Sequence, residues 1–440
     1  MYSQKKQLIP VYAPKKKVNL LILGASGGVA HAVLQYLVHH RNFFNRLVLL
    51  DKKNTVLKNS YLDHAALRYT FILKEINIGK KEKEYRDILK KYEINMVLDL
   101  TDMDSLPLYE ATEKAGVSYV NTALNDEKKT VSQLVFDVLS RKSKKHNAVS
   151  IFCAGMNPGN VNMWVRHGIE KFGIPKEITH FEYDTSHLVR EQHPSITWSL
   201  HEFLVESTKD PGGKMLGRDK VKMLFPNALE NRKNLKFVAG PVLKLDNYPE
   251  GFQVLHEENV SIAQKYDVPS QFLYAIHPQT MNSLLEVYAK NKKVKKEDLL
   301  LGDNQSRTLE GTDCIGVALE YKEKRVYYIN SVSNGVVIGT SATYLQVAVG
   351  VFSALFTLIF DDLAPGVYFV EDLFDTHFKY YMFDNLRVQE FVFRKDKEGK
   401  KEKEWKKNTE RRRETETLTL TSYNPEIKLK RKNRFEHLFI

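Results

Sequence analysis

Two cysteines, Cys153 and Cys314, are all that a chain of 440 residues carries. A framework of several disulfides is therefore excluded. One bridge is conceivable, but so few thiols fit a reducing, cytoplasmic setting better. The opening residues, MYSQKKQLIPVYAPKKK, have lysines but no apolar core of signal-peptide length. No repeat of 20 to 50 residues stands out along the chain. Charge is absent from one stretch, Thr340 to Phe360 (TSATYLQVAVGVFSALFTLIF), which is about as long as a membrane span. Hydroxyls and Gln346 interrupt it and no second span accompanies it, so a buried core helix is expected, with no membrane.

What is present is enough for two domains with full cores. The chain is 42% hydrophobic and 27% charged, in the range of soluble globular proteins. Its formal charge of +12 is uneven: Arg394 to Ile440 holds 16 basic against 9 acidic residues. Acids and bases alternate there (KDKEGKKEKEWKKNTERRRETETL), which reads as a solvated extension. A nucleic-acid contact through this basic tail is the less favoured reading.

From Lys17 to Ala154, strand-like and helical segments alternate. Strands are expected at 17–24, 47–51, within 71–78, and at 94–102, 117–122 and 148–154. Helices are expected after Gly28 and over 82–92, 106–115 and 128–141. This implies an α/β fold with an N-terminal Rossmann-type, doubly wound parallel sheet. After residue 157 the mixture changes to a second α+β domain bearing a largely antiparallel sheet. Strands are expected there at 178–184, 235–243, 259–263, 271–277, 316–321 and 325–331, with helices at 161–172, 196–207, 279–289 and 342–360. The domains are placed at 15–157 (completed by 334–392) and 158–333, with a basic tail at 393–440.

Gly24, Gly27 and Ala30 form G-x-x-G-x-x-A between a strand and a helix. Glycines let the backbone approach a pyrophosphate, and the helix N-terminus offers free N–H donors. Gly24, Ser26, Gly27, Gly28 and Val29 are the expected dinucleotide-binding turn. Asp51, 27 positions after Gly24, ends the second strand where a carboxylate can bind the adenosine ribose. That favours NAD over NADP, although Lys52 and Lys53 follow at once. Thr101, Asp102 and Thr122 end the fourth and fifth strands and should face the same crevice.

CAGMNPGNVN, Cys153 to Asn162, joins the two regimes. Asn157-Pro158 is expected to open a helix, with Asn capping and Pro at its first position. Cys153, with no base nearby in sequence, is expected to be buried packing. Glu182 and Asp184 share strand parity and are expected to face one cavity. Trp198 and Glu206 are eight residues apart, on roughly one side of a helix. An indole between carboxylates suits a cationic amine, with a cation–π contribution of ~0.5–2 kcal/mol. His256, Glu258 and His277 are further polar candidates. No metal site is expected.

At CAGMNPGNV, EYDT, TWS…E, HEENVSIA, YAIHP, TDCIGVAL and ATYLQVAVGVFSAL…PGVYFVEDL the chain resembles the bacterial-type homospermidine synthases, within the saccharopine dehydrogenase-like superfamily. The resemblance runs from the glycine turn to about residue 375. It implies a homodimeric enzyme that uses bound NAD to oxidise putrescine to an imine, releases ammonia, couples a second amine and reduces the new imine. It also implies that Asn157 and Pro158 stand beside the nicotinamide, and that Glu182, Trp198, Glu206 and His256 line the amine pocket, with Glu258 in the same motif. Two positions depart from the family. Asn125, followed by Asp126 and Glu127, stands where the family carries a diamine-binding glutamate. His277-Pro278 is followed by Gln-Thr-Met where the family has Asn-Asp. A saccharopine or carboxynorspermidine dehydrogenase-like NAD(P) oxidoreductase, and a non-catalytic dinucleotide-binding protein with a nucleic-acid-binding tail, are the alternatives.

Overall fold

Short apolar runs without polar alternation build the first sheet, as strands buried on both faces require. In the computed structural model, β1 (Val18–Leu23) is buried along its whole length. Residues 18–189, 194–302 and 308–395 are described, together with the backbone of 402–404. Most of the basic tail, and the expected domain start at residue 15, lie outside the described residues. β2 (Phe44–Asp51), β3 (Thr70–Leu73), β4 (Met96–Asp99), β5 (Ser118–Asn121) and β6 (Val149–Phe152) follow, and Gly366–Phe369 completes seven strands. Every pairing is parallel, and the order runs from Gly366–Phe369 through β6, β5, β4, β1 and β2 to β3. The order reverses between β1 and β4, which opens a crevice at their carboxyl ends. The parallel, doubly wound sheet expected from the alternation is present.

The second sheet has ten strands around β7 (Glu177–Asp184). Ser270–Ile276 runs parallel to β7; the other pairings are antiparallel, including the long Thr312–Glu320/Lys324–Ser333 hairpin. That hairpin turns at the expected Lys322–Lys324 charges. Helix Ala342–Phe360 joins the two halves: it packs on α1 (Gly28–His40) and helix His377–Asn385 and touches strands of both sheets. It is long and apolar enough to cross a membrane, yet 16 of its 19 residues are buried. Two of its buried hydroxyls are satisfied within the helix, Ser353 donating to Val349 O and Thr357 to Ser353 O.

Four local expectations are corrected. Residues 259–263 are not a strand but lie in helix Glu257–Tyr266. Asn259 Oδ1 accepts from His256 N at 3.1 Å, and two glutamates occupy the first turn, where the helix dipole favours them. Residues 235–243 hold the helix Lys236–Ala239 rather than a strand. The helix expected over 196–207 is a strand at Ser195–Ile196, a helix Leu200–Leu204 capped by Ser199, and a π-helical turn Val205–Lys209. Asn157-Pro158 opens no helix: that helix is Asn160–Phe172, with Gly159 at its N-cap and Asn162 Oδ1 accepting from Gly159 N.

Candidate active site

Gly24 carries a φ of +71°, and a Cβ there would stand 2.5 Å from Leu100 O. Only glycine lets the β1 end lie this close to the β4 end. Gly28, the first residue of α1, is covered by the Tyr344 ring, 2.2 Å from where a Cβ would be. Both glycines border a cleft of about 750 Å³. Gly24, Gly27, Gly28, Val29, Asp51, Thr101, Asp102 and Thr122 all line it. Asp51 accepts from Ser26 N and Lys53 N, at 3.0 Å each, one per carboxylate oxygen. Further lone pairs stay open to a ribose. Ser26 stands behind the lining, its hydroxyl donating to Lys53 O at 2.7 Å. Lys52, Lys53 and Lys74 line this end. The residues present fit a dinucleotide.

The opposite end of the cleft is acidic. Asn157, Pro158, Glu182, Trp198, Glu202, Glu206, His256 and Glu257 line it. Asn157 donates its side-chain amide to Glu182 Oε2, which explains why it caps no helix. Trp198 Nε1 donates to the Tyr274 hydroxyl at 3.0 Å, fixing the indole against the floor of the second sheet. His256 stands between two carboxylates, with Nε2 3.3 Å from Glu206 and Nδ1 3.2 Å from Glu258. Burial alone would lower its pKa, but Glu258 and Glu206 outweigh this and hold it well above the usual histidine range. Each ring nitrogen faces a carboxylate oxygen, an arrangement that favours the protonated ring. Burial likewise favours a neutral Glu258, and the His256 charge overrides that and keeps it ionised.

For the remaining acids burial outweighs whatever the His256 charge contributes. Burial, with the Asp184 carboxylate adding to it, pushes Glu182 up to about 8, against the Asn157 hydrogen bond and the His256 charge. Burial followed by Asp102, Glu206, Glu257 and Asp210 pushes Glu202 up to about 8. Burial pushes Glu257 up to about 7, although His256 and the N–H of Leu124, 2.7 Å away, oppose it. Each of these carboxyls would gain from a positively charged ligand.

Sequence-predicted positions divide into lining and support. Asp184 and Glu258 are buried behind the wall: Asp184 accepts from Thr197 Oγ1 (2.6 Å) and Ser186 N (2.8 Å). The expectation that Asp184 shares the cavity with Glu182 is thus corrected; it backs the wall instead. Asn125 lines the rim, but its amide donates to Thr101 O at 3.2 Å and its N–H to Ser105 Oγ at 2.9 Å. His277 stacks on His187 at 4.6 Å, outside the cleft lining. Cys153 is buried, and burial raises its thiol well above the usual range, with nearby Glu257, Glu371 and Glu258 adding to that. Glu202, Glu257, Tyr274, Thr343 and Tyr344 line the cleft but were not singled out in the sequence. Glu202 had a readable signal, lying four residues from both Trp198 and Glu206.

Residues 20–152 match the family model of the saccharopine dehydrogenase NADP binding domain. A search of curated proteins found no match. Among solved structures, apo saccharopine dehydrogenase (L-Glu forming) from Saccharomyces cerevisiae superposes with a TM-score of 0.53 at 9% identity, covering 85% of this chain and 99% of that one. An amine dehydrogenase from Mycobacterium smegmatis gives a TM-score of 0.38 at 9% identity over 82% of this chain and 97% of its own, too weak to bear an argument. Residues 20–152 therefore match a nicotinamide-dinucleotide-binding domain of the saccharopine dehydrogenase type, within a chain whose overall fold is like that enzyme's.

Proposed function

We propose that this protein is a nicotinamide-dependent enzyme acting at a carbon–nitrogen bond of a cationic amine, and specifically a homospermidine synthase-like aminoalkyl transferase using NAD. One observation carries the reading. The cleft that begins at the glycine turn ends at four glutamates, a histidine and an indole. When bound there, the dinucleotide would supply the hydride acceptor and donor. The chain's own residues would do the rest. A primary amine with a pKa near 10 is neutral in about one molecule in a thousand at pH 7, so a proton must be removed before hydride loss or attack on an imine. Glu182, poised at about 8, can hold that proton near neutrality. Glu206 and Glu202 face the cleft to pair with a distal ammonium, and the Trp198 indole can stabilise cationic charge. Asp51 supports NAD as the cofactor. The homodimer implied by the family resemblance belongs to the same proposal.

The test is incubation with NAD and putrescine, followed by mass spectrometry and absorbance at 340 nm. Homospermidine and ammonia without net NADH are expected. Net NADH from an amine substrate would instead favour the saccharopine or carboxynorspermidine dehydrogenase-like reading. No coupled product from putrescine, spermidine or diaminopropane would sink aminoalkyl transfer.

A further inference from the structure

Two carboxyls that the reading above does not use lie buried behind Glu182. Asp184 on β7 stands directly opposite Asp313 on the neighbouring antiparallel strand, and both are at most 4% exposed. Two threonine side chains connect them in a line. Thr197 Oγ1 donates to Asp184 Oδ2 at 2.6 Å and lies 3.0 Å from Thr343 Oγ1; Thr343 Oγ1 donates to Asp313 Oδ2 at 2.8 Å. The far oxygen, Asp313 Oδ1, is buried with no hydrogen-bond partner among the described residues. Thr343 is the member that reaches the cleft wall, one residue before the Tyr344 ring that covers Gly28.

The groups facing this line are known from each packed element. β7 brings Glu182 and Asp184. Tyr274 faces them from the strand paired with β7, and Cys314 adjoins Asp313 on its own strand. Helix Ala342–Phe360 brings Thr343 and Gln346, whose amide nitrogen can stand 3.0 Å from Asp313 Oδ2. The causes acting on Asp313 are burial, then the Glu182 and Asp184 carboxylates, all raising it, against the Thr343 hydrogen bond. Two like charges this close in a low-dielectric interior cannot both persist.

We propose that Asp184 and Asp313, joined through Thr197 and Thr343, hold one proton and one negative charge between them at rest, and that Thr343 passes a second proton between the cleft and the ionised Asp313. The role rests on the amine reading. As a bound ammonium loses a proton, Thr343 Oγ1 takes it up while its own hydroxyl proton moves to Asp313 Oδ2. The amine becomes neutral, Asp313 gains one proton, and no electrons leave or enter. The reverse transfer recharges the amine. Glu182 and this line would then be separate proton stations in one cleft, which suits a reaction that deprotonates and reprotonates nitrogen more than once. Thr343 would be a catalytic residue; Asp313, Asp184 and Thr197 act through it.

Infrared difference spectroscopy on the intact protein at pH 7 tests the shared proton without any substrate. Beside the protonated carboxyls of Glu182 and Glu202, the wild type should show a further C=O component that shifts in D2O and is lost in Asp184→Asn or Asp313→Asn. Thr343→Val should move that band and Thr343→Ser should restore it, while thermal unfolding and NAD binding verify the fold of each variant. If neither Asn variant removes such a band, or Thr343→Val leaves it unmoved, the proposal is overturned. A bound metal cation that kept both carboxylates ionised would give that same overturning result. In the amine assay, Thr343→Val should lower kcat by about tenfold at unchanged KM, with Thr343→Ser recovering it; unchanged kcat would overturn the relay. A wild type that turns over no amine would sink the functional reading while leaving the infrared outcome intact.

Discussion

Glu206 and Trp198 are the side chains on which the amine reading depends most directly. Both line the acidic end, and neither helps to shape the glycine turn. Glu206→Gln removes a charge and retains the shape; Trp198→Ala removes the indole. Each should reduce turnover by about 10²-fold or more while leaving NAD affinity within about twofold, as an electrostatic contribution at a reacting centre implies. Isothermal titration with NAD beside steady-state assays checks this, and normal rates in both variants would contradict the pocket. Glu182 gives a second prediction, in stability. Its folded pKa of about 8 lies above the ordinary carboxyl value, so the folded state binds the extra proton. Its contribution is fully present below about pH 4.5 and is lost as pH rises through about 8. Glu182→Gln should therefore raise the unfolding temperature more at pH 9 than at pH 5; an equal change at both would refute a buried carboxyl held neutral. At this scale the sequence was readable where chemistry is local. Glu206 and His256 stood in quotable motifs, and Glu202 could have been found from its four-residue spacing. Thr343 could not, because its partners Thr197 and Asp313 are distant in the chain and only folding brings them together.

Elements were legible in proportion to their length and periodicity. The parallel strands were found because each is a short apolar run between helical patterns, and the hairpin because its turn is charged. The windows 235–243 and 259–263 misled because a few apolar residues fit a strand and a buried helical turn equally well. The 153–159 turn shows what no local pattern reveals: a helix from far downstream shapes it. Gly350 meets this turn so closely that a Cβ would stand 2.1 Å from Gly155 O and 2.7 Å from Ala154 O. Backbone carbonyls cannot rotate aside. Gly350→Ala should cost about 1–3 kcal/mol by overpacking. It should also displace Asn157 from Glu182 and raise the amine KM. Urea unfolding and steady-state kinetics measure the two effects, and an unchanged KM would show that the turn is held by other contacts.

For the whole molecule, net charge and local charge point in opposite directions. The chain is +12, and the 394–440 segment supplies 16 basic against 9 acidic residues of that balance. A positive field repels a dication at long range, yet the amine end of the cleft is walled by acidic side chains. The local wall should dominate binding, because its acids are largely buried and weakly screened, whereas the global field acts on the encounter rate and is screened within roughly 8–10 Å at ordinary salt. Removing residues 396–440 would take away much of the excess positive charge without touching any cleft residue named above. We expect kcat for putrescine to stay within about twofold. At low ionic strength kcat/KM should rise modestly, and this difference should vanish at high salt as screening removes the field. Steady-state kinetics across a salt series on the full chain and the truncated one decide it. A truncated protein that binds NAD but loses turnover would mean that the basic segment belongs to the catalytic machinery. A loss of salt-sensitive nucleic-acid binding, with turnover unchanged, would assign that segment a role separate from the cleft.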